Sequence, residues 1–305
     1  MLLNFIVNLL ICAAALLIVC SVLTHLLGYH AKTKLPPTGQ FTKVTGGTLH
    51  WTETGTGAPI ILIHGLGGNL FNYNYMIPEL AQRYRVISID RLGSGWSTRD
   101  DPSRADLRAQ ANTIAEFIDI EGLERPLLVG HSLGAGIAIT VGVFHPDKIR
   151  GLALICPSSM GMQDVPKPFR QMDIKNAAWR LFLSHTMLGP VALMREGRVF
   201  DAIFKPEPIT SDFLIKGGVL LGRLPRQFRT TCEDLVAAKA SQHEVARQVS
   251  DLKVPTHALI AQDDNILDIQ LHGVKFSDLT GAPLTIVPRA GHMLPMTQPT
   301  LCNSF

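Results

Sequence analysis

The chain alternates between short continuous apolar runs and longer stretches with helical spacing. Pro59 is followed by Ile60-Ile61-Leu62-Ile63, and similar runs recur at Val86–Ile89, Leu127–Val129, Leu152–Ile155, Thr256–Ile260 and Leu284–Val287. Runs without polar alternation suit strands buried on both faces of a parallel sheet. Between them, Ala105–Ile120 spaces Leu107, Ala111, Ile114, Ala115 and Ile118 at helical intervals, and Ser132–Phe144 is rich in Ala and Gly without Pro. Upstream, Phe41–Val44 and Thr48–Glu53 flank Gly46-Gly47, a hairpin signal. This order predicts an α/β fold with a mostly parallel, doubly wound sheet.

Cys156 to about Ser250 breaks the alternation. It holds helix-like segments such as Ile174–Leu183 and Thr230–Val249 but no strand-like run, and the strand pattern resumes at Val254. The pattern predicts a helical cap inserted at 157–250 between two parts of a core, 41–156 and 251–305.

The first 31 residues have a different character. No Lys, Arg, Asp or Glu occurs from Leu2 to Leu27, and Leu9–Leu23 is apolar except for Ser21. A helix of about 20 such residues crosses a bilayer core of about 30 Å. A cleaved signal peptide is the alternative, but it calls for a basic start, a shorter apolar stretch and small residues at the cleavage site. The start has no Lys or Arg, and Tyr29-His30-Ala31 is bulky. An uncleaved transmembrane helix at 1–31 is therefore expected. Pro36, Pro37 and Gly39 mark 32–40 as a stiff linker. Lys32, Lys34 and Lys43 follow the span, which weakly puts the later domain in the cytoplasm by the positive-inside rule.

Composition narrows the function classes. With 46% hydrophobic and 17% charged residues the chain is too apolar for a disordered protein. Net charge is +3 and no basic run is interleaved with aromatics, so a nucleic-acid partner is not expected. The five cysteines have neither disulfide-framework nor metal-site spacing.

Gly130-His131-Ser132-Leu133-Gly134 follows a strand run and opens a helix, the context in which G-x-S-x-G lifts a serine nucleophile on a tight turn. His64-Gly65-Leu66-Gly67-Gly68 follows the strand at Ile60. The Leu66 amide there, with that of Leu133, would form an oxyanion hole, while His64 is expected to orient the loop. A serine nucleophile needs a base, and the base needs an orienting acid. His292 follows the last strand run, at the same sheet edge as Ser132. Ala261–Asp268 offers Asp263, Asp264 and Asp268 as the acid, with Asp264 first choice and Asp263 second.

With these motifs in view, the chain resembles the α/β-hydrolase superfamily, in the cap-bearing branch with esterases, lipases and C–C hydrolases. The resemblance runs from about Phe41 to Pro299 and includes Asp90-Arg91-Leu92-Gly93-Ser94-Gly95-Trp96-Ser97, read as a structural loop after the fourth strand. It implies a catalytic triad of Ser132, Asp264 and His292; the family's G-x-x-D register, with Ala261 in place of Gly, supports Asp264. The family usually adds a final helix after the histidine loop, whereas six residues follow Pro299 here, so one sheet face is expected to be left partly uncovered.

The implied function is a membrane-anchored serine hydrolase for carboxylic esters, lipid esters among them, with no metal or organic cofactor. Its expected partners are a small-molecule or lipid ester and the membrane. C–C bond hydrolysis, cofactor-free haloperoxidase-like chemistry and a non-catalytic binding role are the alternatives. Dehalogenase and epoxide hydrolase activities are disfavoured, because those relatives carry Asp where this chain has Ser132.

Overall fold

The computed structural model describes residues 1–162 and 164–305. Among these residues eight strands form one sheet: β1 Gln40–Val44, β2 Gly47–Thr54, β3 Pro59–Ile63, β4 Arg85–Ile89, β5 Leu127–His131, β6 Gly151–Ile155, β7 Thr256–Ala261 and β8 Leu284–Val287. Their order is β1-β2-β4-β3-β5-β6-β7-β8. The β1–β2 hairpin and the β2–β4 pair are antiparallel, and every other pair is parallel. Every expected strand run lies on one of these strands.

The central strands are apolar at successive positions because both faces are covered. Ile61, Ile63, Leu128 and Leu154 pack with the helices Leu107–Ile120 and Leu133–Phe144. Ile60, Leu62, Val129 and Ile155 face the other way, onto Tyr73, Leu80 and Leu294. Successive strand side chains point to opposite faces, so both sets are core.

Helix starts differ from their expected positions for local reasons. The first core helix begins at Leu107 rather than Ala105, because Asp106 accepts a hydrogen bond from the Ala109 amide and caps it. In the cap, Asn176 caps the helix Ala177–Thr186, which was expected over 174–183. Pro225 starts the helix Pro225–Ala246, expected from Thr230, because proline suits a first turn. Between β6 and β7 also lie the helices Leu188–Phe204 and Phe213–Lys216.

The N-terminal helix runs from Leu2 to Lys34 and is long and apolar enough to cross a membrane. It continues three residues into the expected linker, since nothing before Pro36-Pro37 opposes helix. What remains of the linker is not free. Leu35 is buried among Leu220, Leu221 and Leu224, and its carbonyl accepts from Trp96 Nε1 at 3.1 Å. At the other end, Pro299–Ser304 forms a short helix that buries Cys302, and the Phe305 ring lies 4.5 Å from that of His257. The face expected to lie open is thus partly covered, while Ile286 on the edge strand stays exposed.

The cap is joined to the core by buried charges. Arg91, in the loop after β4, donates from Nη1 to Asp234 Oδ2 at 2.8 Å on the helix Pro225–Ala246. Arg99 Nη1 reaches Asp234 Oδ1 at 2.5 Å, and Arg99 Nη2 reaches Glu233 at 2.7 Å. Both guanidiniums and Asp234 are about 1% exposed. Removing one member strands the others without solvent, so Asp234→Ala is expected to cost about 3–5 kcal/mol in denaturant unfolding. Glu53→Ala, which breaks the half-exposed pair with Arg85, should cost at most about 1 kcal/mol. Equal shifts for the two variants would contradict this account of the network.

Candidate active site

Ser132 stands between β5 and the helix Leu133–Phe144 with φ +54° and ψ −120°. This is a strained conformation for a residue with a side chain, and neighbouring glycines make room for it. A Cβ on Gly134 would come within 2.0 Å of the Ile63 carbonyl oxygen, and one on Gly130 within 2.5 Å of Ala135 Cα. The serine hydroxyl is thereby held at the C-terminal edge of the sheet, at a helix N-terminus that favours developing negative charge.

His292 lies on the loop after β8 and lines the same cavity as Ser132. Its Nδ1 is 2.7 Å from Asp264 Oδ2. The other oxygen of Asp264 accepts from the Ile266 and Leu267 amides at 2.7 and 3.0 Å. Burial pushes the Asp264 carboxyl up, but the facing imidazole and these hydrogen bonds outweigh it and hold the group below the usual carboxylate range. Asp263 points to solvent, and Asp268 caps the following turn through the Leu271 amide. Of the three acids, Asp264 is the one paired with His292.

The loop after β3 is fixed by fully buried groups. His64 Nδ1 bonds the Gly65 carbonyl at 2.8 Å, and Nε2 accepts from the Arg91 amide at 3.1 Å. This assigns the proton to Nδ1. Burial, then the Arg91 charge, lowers its pKa well below the ordinary histidine value, so the ring is neutral and acts as a strut. Arg91 also donates from Nε to the His64 carbonyl at 3.0 Å and from Nη2 to the Gly65 carbonyl at 3.2 Å. Leu66 follows on this loop and Leu133 opens the helix after Ser132; among the described residues neither amide is taken up by a hydrogen bond.

Three supporting side chains escaped sequence reasoning. His131, inside the elbow motif itself, places Nε2 2.8 Å from the His292 carbonyl oxygen. Glu207, from the inserted segment, accepts from the Gly291 amide at 3.0 Å, Thr297 Oγ1 at 2.8 Å and Gln298 Nε2 at 2.8 Å. Cys156 is buried, and its sulfur lies within 4.8 Å of Asp264 and His292. Only His131 had a sequence signal, its place in the motif. The thiol of Cys156 is pushed up by burial first and by the Asp264 charge next. A protonated thiol beside a carboxylate already engaged by an imidazole and two amides is a poor metal-ligand set.

Ser132 and His292 open onto a cavity of about 650 Å³ beneath the cap. Met172, Leu183, Met187, Val191 and Phe200 supply much of its apolar wall. Size and lining are those of a site for a small apolar molecule with a few polar groups at one end.

A model of the family described as "Alpha/beta hydrolase family" matches residues 60–304. The chain belongs to the alpha/beta hydrolase family. Among curated relatives, an uncharacterized protein of Mycobacterium tuberculosis is 34% identical over 166 residues, 54% of this chain and 48% of that protein. The matched region thus spans about half the length of that relative. Among solved structures, the epoxide hydrolase CorEH superposes with a TM-score of 0.72 at 20% identity, covering 88% of this chain and 96% of that one. A thermophilic esterase from Thermogutta terrifontis superposes with a TM-score of 0.68 at 22% identity, covering 87% and 96%. At these identities the structural likeness speaks for the fold.

This alpha/beta hydrolase buries several neutral imidazoles. Burial is the main cause that lowers His131 to about 3 and His272 to about 4. Their folded values lie below the unfolded 6.5, so the unfolded chain takes up protons first. Their contribution is complete above pH 6.5 and drains as pH falls toward 4, by up to about 1.4 kcal/mol per pH unit for each group. Denaturant midpoints measured from pH 7 to 4.5 should fall steadily, and His131→Gln should flatten the slope. A pH-independent midpoint would count against neutral buried histidines.

Proposed function

We propose that this alpha/beta hydrolase is a membrane-anchored serine hydrolase that cleaves carboxylic esters, lipid esters among them, through an acyl-enzyme. One observation carries the reading: the Asp264–His292 pair at 2.7 Å lies on the same cavity as Ser132 on its strained turn. In the proposed cycle, Ser132 Oγ attacks the ester carbonyl while His292 Nε2 takes its proton. Asp264 holds the Nδ1–H tautomer and stabilises the imidazolium. The Leu66 and Leu133 amides donate to the developing oxyanion, where fixed dipoles gain most in the transition state. The departing alcohol takes the proton from His292. Water then attacks the acyl-serine, with His292 again the base, and the carboxylic acid leaves.

Two further features support this reading over its relatives' chemistries. The epoxide hydrolase CorEH shares this fold and a haloalkane dehalogenase of Mycobacterium tuberculosis is 37% identical over 108 residues, but the Asp nucleophile expected for those chemistries is replaced here by Ser132. The apolar cavity and the long apolar N-terminal helix suit a substrate with an acyl chain.

Ser132→Ala should abolish labelling by a fluorophosphonate and lower kcat on a short-chain ester by roughly 10³- to 10⁶-fold. His292→Ala should come close to it, and the double variant should add little, because the two act as a unit. Asp264→Asn is expected to be far more damaging than Asp263→Asn. Undiminished turnover by folded Ser132→Ala protein would refute the proposal, and a larger loss from Asp263→Asn would move the acid.

A further inference from the structure

The N-terminal helix does more than precede the hydrolase domain. Its exposed first half gives way to a packed stripe: Cys20, Thr24, Gly28 and Ala31 are buried, at the three- and four-residue spacing of one helix face. The stripe lies on the cap. Thr24 Oγ1 accepts from the Gly189 amide at 2.9 Å and lies 3.1 Å from the Thr186 carbonyl oxygen. A Cβ on Gly189 would meet the Thr24 backbone at 2.8 Å, and Gly28 abuts Leu224 and Pro225. The helix is therefore clamped at a fixed angle against the two cap helices Ala177–Thr186 and Leu188–Phe204.

Where this clamp falls relative to the uncharged stretch decides its meaning. A span needs about 20 residues. Every window of that length within Leu2–Leu27 contains Cys20. Cys20 is buried, whereas Cys12, two turns earlier, is exposed. If the helix spans a membrane, the cap already touches it within the hydrocarbon or at its edge.

The outer surface of the same two cap helices carries Trp179, Phe182, Leu193 and Met194, with Trp179 53%, Leu193 52% and Met194 78% exposed. The rings of Trp179 and Phe182 stack at 5.2 Å. Arg195 and Arg198 follow on the second helix, also exposed, as on interfacial helices whose basic residues meet lipid phosphates. On its inner side that helix lines the cavity with Leu188, Val191 and Phe200. Met194 belongs to both surfaces: it lines the cavity and is largely exposed, so it stands at a mouth on the outer face.

We infer that the cap face carrying Trp179, Phe182, Leu193 and Met194 rests in the interface of the bilayer that the N-terminal helix spans, so that the cavity takes its substrate directly from the membrane. This rests on the anchored-hydrolase reading and adds to it a docking geometry. The anchor is a rigid strut of the cap rather than a loose tether, and it aims the mouth at lipid.

Two measurements on the full chain test it. In a Cys12→Ala background, whose other cysteines are buried, Leu193→Cys and Phe182→Cys would carry a polarity-sensitive fluorophore in phosphatidylcholine vesicles. Both labels should shift to the blue and be quenched by lipids brominated on their acyl chains. A label on Asp147→Cys, exposed at the far edge of the sheet, should not respond. Separately, replacing Leu2–Val19 by an unbroken Leu/Ala helix of about twenty residues, followed by fifteen Gly/Ser residues before Cys20, keeps a full span and the docked stripe but frees the cap from the bilayer. Membrane recovery and turnover of a soluble short-chain ester should hold, while turnover of a long-chain ester within vesicles should fall by about tenfold, from lost effective concentration. Membrane-bound protein with unquenched labels at both cap positions would overturn the inference and leave the anchor standing, as would labels that respond only to concentration-dependent dimer formation. Recovery of the unmodified chain in the soluble fraction would overturn both. Quenched labels on a protein that turns over no ester would uphold the docking and reject the hydrolase reading.

Discussion

The guanidinium of Arg91 is the point on which the site's architecture hangs. It is about 1% exposed and reaches three parts of the molecule at once: the His64 and Gly65 carbonyls of the loop after β3, Gln110 on a core helix, and Asp234 on a cap helix. A planar, permanently charged fork can do this where a lysine cannot, because several donors leave it in fixed directions. Taking such charges out of water costs more than their attraction returns unless nearly every donor is satisfied. The requirement makes the arrangement exacting: loop, core helix and cap hold one relative position or lose the network together.

Its neighbour Asp90 plays the matching part on the other side. One oxygen accepts from the Leu70 amide at 2.7 Å; the second meets His50 Nδ1 at 2.7 Å and the Trp96 amide at 2.8 Å. The segment read from sequence as a structural loop is thus a rigid junction, with a buried acid facing the sheet and a buried base facing the cap. Through Gly65, whose carbonyl Arg91 holds, this junction reaches the nucleophile: a Cβ on Gly65 would come within 3.0 Å of Ser132 Cβ.

Much of the fold was legible because its determinants are local. Runs such as Ile60–Ile63 announce strands covered on both faces, and the elbow motif announces its own turn. Asp264 is preferred over Asp263 through the family resemblance, whose G-x-x-D register it fits with Ala261 in place of Gly, and it is the acid found beside His292. What escaped reading depends on partners distant in sequence. Glu207 is an unremarkable acid between Pro206 and Pro208, just past a cap helix, until folding brings it to Gly291, and nothing near Arg91 names Asp234, 143 residues away. The packed stripe on the N-terminal helix was hidden for another reason: Cys20, Thr24, Gly28 and Ala31 are small residues in an apolar run, and the same composition serves lipid contact or helix contact equally. Helix starts moved by a few residues where a single cap, Asn176 or Asp106, outvoted the periodicity.

Glu207 has a consequence for how such a protein can change over evolutionary time. An inserted cap invites description as an exchangeable module, free to vary while the core keeps the chemistry. Here the insertion returns a carboxylate to the core, and that carboxylate ties the Gly291 amide, Thr297 and Gln298 around the His292 loop. A replacement cap that shaped a new cavity but lacked an acid at this place would leave three donors near His292 to find other partners. Substitutions in the two parts are therefore coupled at this position, as they are at Asp234, while the outer cap residues face no such constraint from the core.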